Sequence, residues 1–107
     1  MSAANARANA MRGEAAITIA GTPHKLRPTF AALVAAEEEL GSLFDLVDRA
    51  ANGKLRLAEV AMLFWHCLAT EDDIARDAVG DAVLAMGLAQ CTPPLRIILG
   101  QIVQGSG

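Results

Sequence analysis

The chain predicts an α+β fold that is mainly helical, with an N-terminal β-hairpin packed on about five short helices. Three observations predict it. In the stretch 57–69, LAEVAMLFWHCLA, only Glu59 and His66 are neither apolar nor small. They stand seven residues apart, so on a helix they share one narrow stripe and leave apolar side chains around the rest. Residues 14–20 instead alternate with period two, the mark of a half-buried strand. Hydrophobic residues make up 53% of the 107-residue chain but aromatics only 4%. A core of Ala, Leu, Ile and Val suits helix packing better than a β-sandwich.

Each element follows from local signals. Residues 1–11 are small and polar without periodicity and read as a mobile tail, residues 12–104 as a single domain, and 105–107 as a flexible end. Ala15, Ile17 and Ile19 form one face of the first strand, with Glu14, Ala16 and Thr18 on the other. Gly21, Thr22 and Pro23 supply a turn, and 24–28 returns with Leu26 inward between Lys25 and Arg27. A lone hairpin is marginal in water, so its apolar face must lie on helices.

Thr29 is placed to cap a helix over 30–40 that ends at Gly41, with Phe30, Leu33, Val34 and Leu40 inward. Glu37 falls on the same stripe, which predicts a specific partner, Arg27 or Arg49. Glu38 and Glu39 read as a solvated face. Ser42 and Asp45 resemble a capping box opening a helix over 43–51, closed by Asn52 and Gly53, with Leu43, Leu46, Val47 and Ala50 inward. The central helix takes 57–69. Thr70 and Asp73 repeat the start signal for a helix over 71–86 that buries Ala75, Val79, Ala82, Val83 and Met86 and keeps Asp73, Asp77 and Asp81 outside. Gly87 breaks it. After a connector over 88–91, Thr92 can cap a last helix over 93–104 with Pro93 at its first position. There Leu95, Ile98, Leu99 and Ile102 face inward and Ile97 outward.

Composition narrows the function. A formal charge of -3 provides no positive field for nucleic acid. Apolar runs are interrupted by charges or glycine, and no basic amphipathic helix is present, so no membrane contact is expected. His24, His66, Cys67 and Cys91 lack metal-ligand spacing, and His66 and Cys67 are adjacent, so on a helix they point apart. The reading is therefore no catalytic, cofactor-binding or metal residues, and reduced thiols in a cytoplasmic protein. What remains is an interaction domain. With a mean hydropathy of +0.34 the chain carries more apolar side chains than so small an interior holds. Met62, Trp65, His66, Leu84 and Ile97 are the expected partner contacts, with room for a homo-oligomer.

Arg12-Gly13-Glu14, the run AAITIAG with its return through Leu26, the entry Thr29-Phe30-Ala31-Ala32-Leu33 and the ending Ala36-Glu37-Glu38-Glu39-Leu40-Gly41 together resemble the small phage-tail family of gene transfer agents. That family is labelled both tail tube protein and tail assembly chaperone. The similarity extends through Leu43 to Gly53 and Thr70-Glu71-Asp72-Asp73, covering most of 12–88. The chain departs from the pattern in the ten residues before Met11 and in Pro93-Pro94, where uninterrupted helix is expected. The resemblance implies a non-enzymatic tail assembly factor in an alphaproteobacterial cytoplasm. As a chaperone it would coat the tape measure protein until tail tube protein subunits polymerise around it. The alternatives are a structural tail tube subunit, whose rings generally close by β-sheet, and a generic helical adaptor.

Overall fold

The computed structural model describes residues 14–69 and 73–104. The expected tail, the start signal at Thr70 and residues 105–107 lie outside the described residues. Strands β1 (Ala15–Ile19) and β2 (Thr22–Leu26) pair antiparallel, with Ala15 opposite Leu26 and Ile19 opposite Thr22. Ala20 and Gly21 alone make the turn, both at positive φ (51° and 82°). A two-residue loop of this hand matches the twist of the strands it joins. Thr22 and Pro23, expected in the turn, are therefore strand residues. Ala15, Ile17, Ile19 and Leu26 face the core as predicted. Glu14, expected outward, is buried, where its Oε2 lies 2.9 Å from the Arg27 guanidinium and its Oε1 3.9 Å from Lys25 Nζ. A carboxylate leaves water only with such partners.

Helix α1 (Phe30–Leu40) starts where Thr29 Oγ1 accepts the Ala32 amide at 3.1 Å, and it ends at Gly41 with φ 88°. Its inward face is not the one predicted. Phe30 is 85% exposed and Val34 is exposed, while Ala36 is fully buried and Ala32, Leu33 and Leu40 pack beside it. The small Ala36 lets the helix lie close to the core. That rotates the contact stripe away from the bulky positions, which a count of large apolar residues cannot foresee. Glu37 turns outward with it, and its Oε2 accepts the Leu43 amide at 3.1 Å rather than pairing with an arginine. Helix α2 (Leu43–Ala51) carries the predicted caps: Ser42 Oγ accepts from the Asp45 amide, and Asn52 and Gly53 close the end. Leu43 and Leu46 are buried, with Val47 and Ala50 half-buried.

Helix α3 (Leu57–Cys67) is the central element and buries Val60, Ala61, Leu63, Phe64 and Cys67. It stops two residues before the predicted end, because the open edge of β2 captures the next backbone groups. Leu68 pairs with Leu26, the Arg27 amide donates to the Cys67 carbonyl at 2.7 Å, and the Ala69 amide donates to the Lys25 carbonyl at 2.9 Å. Those bonds satisfy an edge that would otherwise stand open.

Helix α4 (Arg76–Gln104) joins the last two predicted helices across a kink at the predicted break, Gly87, so four helices stand where about five were expected. It begins at Arg76 rather than 71, with the Ala75 carbonyl accepting the Ala78 and Val79 amides. Val79, Ala82 and Val83 are buried, Met86 is half-buried and Ala75 exposed, while Asp73, Asp77 and Asp81 point to solvent. Gly87 breaks the helical path at φ 78°, but the helix resumes at once, so 88–91 is not a connector. Pro93 and Pro94 sit inside the helix rather than at its start. Thr92 Oγ1 donates back to the Leu88 carbonyl at 2.9 Å instead of capping. Two helical bonds are lost at the prolines, yet Cys91, Pro94 and Ile98 are buried. Ile97, expected outward, is half-buried against the same core. By length and composition alone α4 could cross a bilayer. Here it packs against β1 and α3.

Candidate partner-binding site

Helix α3 and the first half of α4 run past each other and leave a groove of about 460 Å³ between them. Its α3 wall is Leu57, Ala58, Ala61 and Met62, and its α4 wall is Arg76, Asp77, Gly80, Asp81 and Leu84. Helical spacing explains both walls, since 57, 58, 61 and 62 share one face of α3, and 77, 80, 81 and 84 one face of α4. Leu57 is 45% exposed and Leu84 66%. They form apolar lips, with small residues at Ala58, Ala61 and Gly80 between them. Further grooves border α4, one of about 610 Å³ beside β1 and the turn, and one of about 470 Å³ beside α2.

The two polar residues of α3 hold its two ends. At the N-terminal end, Glu59 accepts a two-pronged bond from Arg49, Nη1 to Oε1 at 2.7 Å and Nη2 to Oε2 at 2.6 Å, and also the Arg56 amide at 2.8 Å. Arg49 Nε reaches Asp45 as well, at 3.1 Å. The Arg49 bonds above all, with burial opposing them, hold the Glu59 carboxyl down at about 2. The same pairing raises the Arg49 guanidinium above its ordinary value.

At the C-terminal end, His66 Nε2 donates to Glu39 Oε1 at 2.7 Å, and Arg76 Nη1 donates to Glu39 Oε2 at 2.6 Å. His66 first and Arg76 second keep the Glu39 carboxyl below the usual carboxylate range. The Arg76 guanidinium also lies 4.2 Å from the centre of the Trp65 ring, which meets His66 edge-on at 4.9 Å. Trp65 Nε1 donates to the Ile74 carbonyl at 2.8 Å, and Arg76 Nη1 approaches Met62 Sδ at 3.3 Å. This cluster ties α1, α3 and α4 together at one corner of the groove.

Of the residues predicted to touch a partner, Met62, Trp65 and His66 meet in this corner, and Leu84 lines the α4 wall of the groove. Ile97 lies in the second half of α4 and is not part of it. The pattern of apolar residues did not reveal Glu39, Arg76, Asp77, Gly80 or Asp81. Gly80 was the signal available, because a glycine inside an amphipathic helix needs a reason. Cys67 and Cys91 are free and buried, and burial pushes the Cys67 thiol up to about 12 and raises that of Cys91. Thiols in such surroundings are poor nucleophiles. Among the described residues, no three His, Cys, Asp or Glu side chains gather to hold a metal ion.

The family described as phage tail tube protein, GTA-gp10, matches residues 12–105. No curated protein and no solved structure matches the chain.

Proposed function

This chain belongs to the phage tail tube protein, GTA-gp10, family, and from that premise we propose that it builds phage-like tails without catalysis, as a chaperone for the tape measure protein. In the host cytoplasm it covers apolar stripes of that protein until tail tube subunits replace it. The observation that carries this reading is where the backbone and apolar surfaces lie. Among the described residues the sheet has two five-residue strands, and the outer edge of β2 is already engaged at Leu26 by Leu68. Exposed Phe30, Phe44, Leu57, Leu84, Leu88 and Val103 stand on helices instead. Such a surface receives helices better than it closes a ring by strand pairing. Met62, Trp65, His66 and Leu84 are the contacts proposed for the partner, with Ile97 acting from outside the groove.

A tube subunit is the second reading, favoured by the family's description. Tagged protein captured from cells assembling particles, together with the protein content of finished particles, separates the two. The chaperone captures the tape measure protein and is absent from finished particles. Abundance in the particles without capture of the tape measure protein overturns that reading in favour of the tube subunit.

A further inference from the structure

We propose that the groove between α3 and the first half of α4 seats an amphipathic helix with basic residues along one edge of its apolar stripe. The proposal deepens the chaperone reading and rests on it for the natural source of that helix. Three independent observations support it.

The first is Gly80. It lies inside α4 with ordinary helical neighbours, and a Cβ built there meets nothing within 4 Å. Among the described residues no contact therefore calls for a glycine, although glycine is among the worst residues for a helix interior. A backbone arriving from outside does call for one, because glycine and the neighbouring Ala58 and Ala61 let a second helix come close. The second is the pair of lips. Leu57 and Leu84 are large, apolar and exposed on opposite walls, as needed to grip an apolar stripe from both sides.

The third observation selects the sign of the partner's charge. Asp77 and Asp81 line the α4 wall one turn apart, and neither has an ion pair among the described residues. The cation on this wall, Arg76, is already held by Glu39 and lies over Trp65. An incoming helix thus meets a negative rim, which Lys or Arg spaced three or four residues apart would complement. From Asp77 to Leu84 the wall runs two helical turns, about 10 Å, so a few turns of partner fill it. A second copy of this chain does not fit. Among its described helices the only Lys or Arg residues are Arg49 in α2 and Arg76 and Arg96 in α4, and no two share an edge.

The test uses the full chain and two fluorescent designed helices with the same Leu and Ala stripe, one edged with Lys and the other with Glu. Binding is read by anisotropy. The Lys-edged helix is expected to bind at least about tenfold tighter than the Glu-edged one, and salt should erase the preference. Gly80→Leu places a side chain in the groove from a position where a Cβ meets nothing within 4 Å, and should weaken binding about tenfold while circular dichroism and the melting temperature show the fold retained. Leu84→Ala, which removes an exposed side chain, should weaken it less. Gly100→Leu, the same change in the second half of α4, should leave it unaltered. Asp77→Asn with Asp81→Asn should abolish the charge preference. Equal binding of the two helices, unaltered binding by Gly80→Leu, or a dimer of this chain that Gly80→Leu dissociates would each overturn the proposal.

Capture of the tape measure protein from assembling cells separates this claim from the one it rests on. Equal capture by wild type and Gly80→Leu refutes the groove and leaves the chaperone reading standing. If wild type captures none, yet the Lys-edged helix still binds in a Gly80-dependent way, the groove stands and the chaperone reading falls.

Discussion

The two ends of α3 are held by charged residues in contrasting ways. At the N-terminal end one arginine grips one carboxylate with a planar fork, and Glu59 is only 14% exposed at its side chain. At the C-terminal end Glu39, 33% exposed, is shared between a largely buried His66 and an exposed Arg76, at 46%. The first holds segments close in sequence, whereas the second gathers residues 27 and 37 positions apart. Shielding from water makes the first rigid and strongly coupled. Exposure makes the second a surface that salt and a partner can modulate.

Both ends depend on the apolar face between them, so the largest effect is expected there. Phe64 is fully buried, and Phe64→Ala should lower stability by about 3–5 kcal/mol in denaturant unfolding. A much smaller loss would mean that the ends of α3 hold the helix without its core. The next largest effect separates the ends. Arg49→Met removes the fork from a shielded carboxylate and should lower the melting temperature about twice as far as Arg76→Met.

Acid sharpens this contrast. The Glu59 carboxyl titrates at about 2 when folded against 4.5 for the free group. Its contribution is therefore complete above about pH 4.5 and disappears as the pH falls through about 2. The gap between wild type and Arg49→Met should close over that window. Salt acts on the other end. The smaller deficit of Arg76→Met should shrink toward zero in high salt, while that of Arg49→Met persists. A deficit in Arg76→Met that ignores salt would place its origin in the contact with Trp65.

The smallest effect lies between the two ends. Gly80→Ala adds a methyl group where nothing stands within 4 Å and should raise stability by about 0.5–1 kcal/mol. Destabilisation would show that Gly80 serves the chain's own packing and would remove one support for the groove.

The sequence alone determined the elements whose signals are local. The alternating strand, the Thr29 and Ser42 starts, the ends at Gly41 and Asn52-Gly53, and the apolar α3 depend on side chains a few residues apart, so each can be read without knowing what lies across from it. Met62, Trp65 and His66 were legible as a cluster because they are consecutive or one turn apart. What they meet was not. Glu39 read, with Glu38, as a solvated carboxylate, and only the packing of α1, α3 and α4 gives it His66 and Arg76.

Tertiary structure decided the remainder, because those outcomes turn on competition between distant groups. The end of α3 yields to the edge of β2, and α1 rotates about the buried Ala36. Pro93 and Pro94 stay within α4 where local rules would start a helix at them, since the adjoining Cys91, Pro94 and Ile98 are buried in the core. A sequence states what each segment prefers. Burial settles which preferences give way, since one helix-breaking residue is outweighed by several side chains removed from water.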